Sequence, residues 1–191
     1  MSNEVPFSII SVTGAHSGVG KTTLCSILLG NLKGFGAIKF TKTPMYTTVI
    51  DDPEVIRQEG KDTAVILESG AERVVWIQSP RSGLEEALDI AMGRMTGLKG
   101  VVVEGNSPAD FINPHLVIFV IGGEGEIKPS AVKMGQRADA IVVNSGDSIK
   151  TPSLPVPLSQ KHAPVFRIDL KNKKGEIDKL ISFVKKYIQP D

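Results

Sequence analysis

A short apolar strand, a glycine-rich loop and a helix follow one another near the start of this chain. Residues 7–12 read FSIISV, residues 14–23 read GAHSGVGKTT, and residues 21–32 have the composition of a helix. Glycine permits the unusual backbone dihedrals that let a loop approach an anion closely. Because the loop joins a strand to a helix N-terminus, its backbone N–H groups can hold a phosphate. The order of the three elements therefore predicts a phosphate-binding loop in an α/β protein.

The loop supplies most of the candidate site residues. Lys21 can reach the β- and γ-phosphates of a nucleotide, and the Thr22 hydroxyl can coordinate Mg²⁺. The first glycine of the G-x-x-x-x-G-K-[ST] pattern is replaced by Ala15, with Gly14 one place earlier. We interpret His16 as a residue of the loop crown and Cys25 as a small core residue. The predicted phosphate contacts are Gly14, Ser17, Gly18, Val19, Gly20, Lys21, Thr22 and Thr23.

Beyond the loop, apolar runs alternate with segments of helical period. Continuous apolar runs are typical of strands covered on both faces, as in a parallel sheet. The alternation predicts one domain over residues 1–191, with a three-layer α/β fold and a mostly parallel central sheet. Residues 41–59 and 150–164 are predicted to be loops, and Trp76 a core residue. Strands are predicted at 37–40, 73–77, 101–104, 116–121, 140–144 and 165–168, and helices at 60–69, 84–95 and 176–188.

Composition narrows the class of protein without naming a function. The 22 Lys and Arg residues nearly balance 21 Asp and Glu residues, so charge gives no reason to expect nucleic acid or a membrane as partner. The single cysteine excludes an intrachain disulfide framework and favours a cytoplasmic location. No stretch has the roughly 18 apolar residues that a membrane span needs, and the first residues do not resemble a secretory signal.

Glu104 is the second candidate for chemistry at a phosphate. It ends the apolar run VVVE and precedes Gly105. The carboxyl end of a central strand lies on the ligand side of an open α/β sheet, where the phosphate loop also lies. We therefore predict that Glu104 and Thr22 hold Mg²⁺, Glu104 directly or through water, and that Lys21 and Glu104 are the catalytic residues.

Asn144 and Asp147 are the predicted base-binding residues. They lie in VVNSGD with the spacing N-x-x-D, at the end of another apolar run. A carboxylate can accept hydrogen bonds from both N1 and N2 of guanine, although an Asn-Ser-Gly-Asp turn explains the same residues. Guanine, adenine and no base contact therefore remain open. Residues 41–59 and 122–126 are predicted to flank the ligand edge, as a switch or substrate loop or as solvated acidic turns.

The first part of the chain resembles the molybdopterin-guanine dinucleotide biosynthesis protein B (MobB) family, within the SIMIBI class of P-loop NTPases. The likeness lies in SGVGKTTL, in Ile38 and Lys39, in GKDT at 60–63, in ESGAERVV at 68–75 and in VVVEG at 101–105. It implies a P-loop NTPase fold, binding of GTP with Mg²⁺, and an accessory role, with a protein partner, in attaching a nucleotide to molybdopterin.

Two further resemblances bear on the function. Residues 101–188 are similar to the nickel-insertion GTPases of hydrogenase and urease maturation, which implies guanine contacts by Asn144 and Asp147. HSGVGKTT with VVVEG also resembles the dethiobiotin and cobyrinate amide synthetases, which use ATP to activate a carboxylate. We therefore expect a P-loop hydrolase, GTPase rather than ATPase, with weak intrinsic activity and a role in cofactor maturation. An ATP-dependent ligase is the alternative, and a homodimer is left open.

Overall fold

The computed structural model describes residues 6–122, 129–146 and 162–188. Asp147, residues 123–126 of the predicted 122–126 segment, and most of the predicted loop at 150–164 lie outside these ranges. The predictions made for them are therefore not tested.

Nine described strands form one sheet in the order β3-β4-β2-β5-β1-β6-β7-β8-β9. All neighbouring pairs are parallel except β3 with β4 and β8 with β9, which are antiparallel and lie at the two edges. The mostly parallel sheet is therefore confirmed. The strands are β1 (Ser8–Gly14), β2 (Phe35–Lys42), β3 (Thr48–Ile50), β4 (Val74–Ser79), β5 (Gly100–Glu104), β6 (Leu116–Gly122), β7 (Ala140–Asn144), β8 (Val165–Asp169) and β9 (Lys174–Gly175).

Helices cover both faces of the sheet. On one face α1, α3 and α6 pack against the apolar side chains of the strands, and on the other face α4 and α5 do so. Two short 3₁₀ turns, Arg81–Gly83 and Ser107–Asp110, follow β4 and β5. The α-helices are α1 (Lys21–Asn31), α2 (Pro53–Ile56), α3 (Asp62–Glu68), α4 (Leu84–Gly93), α5 (Pro129–Arg137) and α6 (Ile177–Ile188).

The core explains why β5, β6 and β7 read as continuous apolar runs. Their side chains alternate between the two helix layers, so that Ile118 and Val142 lie on the side of α1 while Phe119 and Ile141 lie on the side of α5. A strand buried on both faces has no solvent side and needs no polar alternation. Within the described residues, no helix is both long enough and apolar enough to cross a membrane.

The parallel strands end at one edge of the sheet, and the candidate site lies there. The register pairs Glu104 of β5 with Val12 of β1 on one side and with Lys39 of β2 on the other. Lys39 is in turn paired with Trp76 of β4. The register thus sets Lys39 and Glu104 level with Val12, two residues before the phosphate loop begins.

One prediction about a loop was wrong. Residues 41–59 contain the edge strand β3 (Thr48–Ile50) and the one-turn helix α2 (Pro53–Ile56). The Asp52 side chain caps α2 by accepting a hydrogen bond from the Glu54 N–H at 2.8 Å, with Pro53 at the first helical position. Strand β3 is only three residues long and is held by its pairing with β4. A pairing between distant segments leaves no periodic pattern in the sequence.

Candidate functional site

The glycine-rich loop joins the end of β1 to the start of α1. Gly18 and Gly20 have φ angles of 77° and 107°, in the region that only glycine adopts readily. A Cβ at Gly20 would lie 2.6 Å from Leu170 Cδ1, so the backbone there is also close to its neighbours. Helix α1 begins at Lys21, directly after these glycines. The loop therefore has the backbone that the sequence predicts.

The loop borders a cleft of about 780 Å³. Its walls are the loop, the start of α1 and the carboxyl ends of β2 and β5, with Asp62 from α3 and Ala131 from α5. Gly14 and Val19 lie outside the lining of this cleft. The predicted site residues that line it are Ser17, Gly18, Gly20, Lys21, Thr22, Thr23 and Glu104.

Gly14 and Val19 have structural contacts instead. The Gly14 N–H donates to Asn106 Oδ1 at 2.8 Å, and Asn106 Nδ2 donates to the Gly14 carbonyl at 2.9 Å. Val19 is 3% exposed and packs in the core beneath the loop. These contacts fix the ends of the loop, and direct phosphate contacts by Gly14 and Val19 stay predictions. Asn106 is a residue of the site that the sequence analysis missed.

The Lys21 ammonium lies over the loop and donates to the carbonyl of His16 at 2.9 Å. Burial lowers the pKa of Lys21 below its ordinary value, and the nearby Lys39 ammonium adds to this effect. The Glu104 carboxylate opposes the shift but does not cancel it. An anion placed against Lys21 would restore the preference for the charged form.

Three side chains from three elements meet at the floor of the cleft. The Thr22 hydroxyl donates to the Glu104 carboxylate, with oxygen–oxygen distances of 3.1 and 3.2 Å. Lys39 Nζ lies 2.9 and 3.0 Å from the two Glu104 oxygens and 3.3 Å from Thr22 Oγ1. Glu104 is only 4% exposed, so its charge needs these partners.

Lys39 also forms an ion pair with Asp62 at 2.8 Å, at the start of α3. Burial tends to lower the pKa of Lys39, but the carboxylates of Glu104 and Asp62 more than compensate and raise it above the ordinary value. The sequence analysis assigned no role to Lys39 or Asp62 in the site. A charged side chain inside the otherwise apolar run GAIKF was the available signal for Lys39.

The oxygen ligands at this position suit Mg²⁺, which would take the place that the Lys39 ammonium has beside Glu104 and Thr22. The Thr22 hydroxyl and the Glu104 carboxylate are hard oxygen ligands about 3 Å apart, the kind that Mg²⁺ prefers beside phosphate oxygens and water. No group of three or more His, Cys, Asp or Glu side chains able to hold a metal occurs in the described parts of the chain. A metal here would therefore depend on the nucleotide for further ligands.

Asn144, at the end of β7, connects the glycine-rich loop to the residue that follows β8. Its Nδ2 donates to the Val19 carbonyl at 3.1 Å, and its Oδ1 accepts from the Leu170 N–H at 3.2 Å. The side chain thus holds the loop against the segment after β8. Its predicted contact with a base remains a prediction, as does that of Asp147.

His16 and Cys25 lie where their structural interpretations predict. The two His16 ring nitrogens are 2.8 Å from the Ser17 carbonyl and 3.1 Å from the Gly122 carbonyl, at the crown of the loop. Cys25 is 1% exposed inside α1, and burial raises the pKa of its thiol well above the ordinary value. The thiol is therefore protonated and unreactive at neutral pH.

Comparison with solved structures identifies the fold. The chain is similar to HypB from Helicobacter pylori, solved in complex with nickel, at a TM-score of 0.62 and 15% sequence identity, covering 95% of this chain and 87% of HypB. It is also similar to LpxK from Aquifex aeolicus, solved in complex with ATP, at a TM-score of 0.53 and 13% identity, covering 85% of this chain and 54% of LpxK. The chain thus has the three-layer P-loop NTPase fold predicted from its sequence.

The other comparisons add no family. No protein-family model matches the chain, and no curated protein matches it. The resemblance to the MobB family therefore stays a prediction. The likeness to HypB and LpxK, at identities of 15% and 13%, establishes the fold alone.

Proposed function

We propose that this chain binds a nucleoside triphosphate with Mg²⁺, GTP in preference to ATP, and hydrolyses it slowly. The observation that carries the proposal is the cleft in which Lys21, Thr22 and Glu104 meet beside the glycine-rich loop. Backbone N–H groups of residues 18–22 and the Lys21 ammonium would hold the phosphates. When bound at Thr22 and Glu104, Mg²⁺ would neutralise charge on the β- and γ-phosphates.

Slow hydrolysis follows from the groups that surround the cleft. Neither arginine nor glutamine is among the described residues that line it. Such a group normally stabilises the charge that develops on the γ-phosphate, or orients the attacking water, and raises the rate by several orders of magnitude. We therefore expect the chain to reach useful rates only with a partner protein that supplies the missing group.

The preference for GTP depends on Asn144 and Asp147. The Asn144 amide donates to the Val19 carbonyl, so the end of β7 lies beside the loop that would hold the phosphates. A carboxylate at residue 147 would accept hydrogen bonds from both guanine donors. Together with the MobB-like and nickel-insertion-like motifs, this supports an accessory role in cofactor maturation, such as molybdopterin guanine dinucleotide biosynthesis.

Lys39 favours a second candidate function, an ATP-dependent ligase of the dethiobiotin or cobyrinate amide synthetase type. Lys39 lines the same cleft as Lys21, so a phosphoryl group transferred in this cleft would lie near two ammonium groups. Fixed positive charge at that position stabilises the transition state of phosphoryl transfer. In this case an acid substrate, rather than a protein, would be the partner.

Competitive calorimetric titration with Mg²⁺-GTP and Mg²⁺-ATP tests the proposal. A preference for GTP of about tenfold, equivalent to about 1.4 kcal/mol, would support the guanine pocket. A preference for ATP would favour the ligase, and turnover without a partner above about 1 s⁻¹ would contradict the accessory role. Binding of neither nucleotide would contradict both candidates.

A further inference from the structure

A second, smaller pocket adjoins the nucleotide cleft on the far side of Lys39. Its volume is about 270 Å³, and Lys39, Thr41 and Asp62 line both spaces. The remaining walls of the pocket are Gly60, Lys61, Thr63 and Trp76. The Lys39–Asp62 ion pair therefore stands at the boundary between the two compartments.

The walls of this small pocket come from one sheet face and the start of α3. Lys39 and Thr41 are two positions apart on β2, so their side chains lie on the same face of the sheet. The register pairs Lys39 with Trp76 on β4. Trp76 Nε1 donates to Thr41 Oγ1 at 3.0 Å, which fixes the orientation of the indole ring. The Trp76 side chain was predicted to be core, yet it is only half-buried because its outer part faces this pocket.

Of the charged groups that the structure describes in the lining of the pocket, Lys61 alone has no ion partner. Lys39 and Asp62 pair with each other, and Lys39 also pairs with Glu104, so those charges offset one another. Asp62 is paired with Lys39 at 2.8 Å. Lys61 Nζ lies 5.0 Å from the centroid of the Trp76 ring and forms no ion pair with any residue that the structure describes. The pocket thus offers one uncompensated cation beside a fixed aromatic surface.

We propose that this pocket is a binding site for a small organic anion, with its acid group toward Lys61 and its apolar part against Trp76. An uncompensated ammonium is a strong partner for a carboxylate or phosphate group, and the indole supplies apolar contact area. A volume near the lower limit of ligand pockets admits only a small molecule. The inference rests on the proposed function for the neighbouring compartment, where a bound nucleotide would place its terminal phosphate beside Lys39.

Trp76 makes the proposal directly measurable, because it is the only tryptophan of the chain. Its emission can be followed while the full chain is titrated with benzoate and, separately, with benzamide, the uncharged counterpart with the same ring. We expect a saturable change with benzoate and weaker binding of benzamide. No saturable change with benzoate, or equal binding of both compounds, would overturn the proposal.

Substitutions at Lys61 test the role of its charge. We expect Lys61→Met to weaken benzoate binding roughly three- to tenfold, and Lys61→Arg to restore it, since a partly exposed charge–charge hydrogen bond contributes that much. The Lys61 side chain makes no capping hydrogen bond to α3, so the fold should tolerate both changes. Lys33→Met, an exposed lysine after α1, is the matched control. Equal benzoate affinity in Lys61→Met and in the unmodified chain would overturn the role of Lys61.

Repeating the benzoate titration with saturating Mg²⁺-GTP or Mg²⁺-ATP separates this proposal from the proposed function. Undiminished benzoate binding in the presence of nucleotide supports two compartments. Displacement of benzoate by nucleotide would overturn the proposal, since the pocket would then belong to the nucleotide site. If calorimetry detects no nucleotide binding while benzoate still binds, the anion site stands and the proposed function fails.

Discussion

Lys39 and Glu104 are register partners on adjacent parallel strands, and the ammonium of Lys39 contacts both oxygens of the Glu104 carboxylate at 2.9 and 3.0 Å. The Lys39 side chain is 13% exposed and that of Glu104 is 6% exposed. Two charges withdrawn from water this far depend on each other, because a lone buried charge carries a large desolvation cost.

Removing the Lys39 charge alone should destabilise the protein. We expect Lys39→Met to lower the free energy of unfolding by about 2–3 kcal/mol, since Glu104 would remain buried with only the Thr22 hydroxyl as partner. The double variant Lys39→Met/Glu104→Gln should regain most of this loss. Urea unfolding measures both, with Lys33→Met as a control expected to change stability by less than about 0.5 kcal/mol. A single variant as stable as the unmodified protein would refute the dependence.

Lys21→Ala should reduce nucleotide binding below detection by calorimetry while leaving the fold intact. Within the part of the chain that the structure describes, its ammonium donates only to the carbonyl of His16, so little structure depends on it. A charge-assisted contact with phosphate, in contrast, contributes about 1.5–3 kcal/mol for each hydrogen bond. Lys33→Ala serves as the control. Retention of the original affinity in Lys21→Ala would mean that nucleotide binds elsewhere.

Asn144→Ala and Asp147→Ala should affect nucleotide binding differently. Asn144 holds the loop through Val19 and Leu170, so its loss should weaken the binding of both nucleotides, and GTP more strongly because Asn144 is also a proposed guanine contact. Asp147→Ala should weaken GTP binding by about tenfold and leave ATP binding unchanged, because only guanine offers both donors to the carboxylate. Competition titrations with both nucleotides distinguish the two patterns. Equal losses in Asp147→Ala would exclude guanine recognition by that residue.

Gly18 and Gly20 of the loop should differ in their tolerance of a methyl group. A Cβ at Gly18 meets nothing within 4 Å, so Gly18→Ala should cost about 1 kcal/mol through its positive φ alone. Gly20→Ala adds contacts of 2.6 Å with Leu170 and 3.2 Å with Asn144, and should cost at least about 1 kcal/mol more. Chemical denaturation of the two variants provides the comparison. The reverse order of stabilities would show that the loop has a different conformation.

Nucleotide binding should take up protons at alkaline pH. The pKa of Lys21 lies below its ordinary value of 10.5, and a neighbouring phosphate would raise it. At a pH between the lowered pKa of Lys21 in the free protein and its raised pKa beside a phosphate, the free amine is partly deprotonated. Nucleotide binding must then protonate it. The affinity for nucleotide should therefore fall as the pH rises through that range. Calorimetry at about pH 8 and about pH 10, in buffers of different ionisation enthalpy, counts these protons.

Lys21→Arg provides the control for that experiment, since a guanidinium keeps its proton throughout the range. The arginine variant should show no proton uptake that grows with pH. The same growth in Lys21→Arg and in the unmodified protein would assign the protons to another group.

The sequence predicted the parallel part of the sheet because its strands are buried on both faces and read as apolar runs. β3 and β9 were not predicted, since strands of three and two residues have too few positions to show a period. Helix α5 was missed because its sequence PSAVKMGQR has few apolar residues, and it is Ala131 and Met134 that pack against the sheet. Tertiary packing, rather than local preference, fixes these elements.

Within the site, sequence motifs found the loop and Glu104 but not the residues that join them. Lys39 and Glu104 are 65 positions apart, and their pairing depends on β2 lying beside β5. The order of strands in a sheet cannot be predicted from local patterns in a single sequence. The bonds between Asn106 and Gly14 depend on β5 lying beside β1 in the same way. Contacts of this kind arise from strand order, which local patterns do not encode.

The burial of Cys25 has a practical consequence for studying this protein. It is the only cysteine of the chain, it is 1% exposed, and its thiol is held protonated. Maleimide reagents react with exposed thiolates, so they should not label the unmodified chain. A cysteine introduced at exposed Met45 would then be the one reactive position. A dye attached there would report on the segment between β2 and β3 without any prior removal of native thiols.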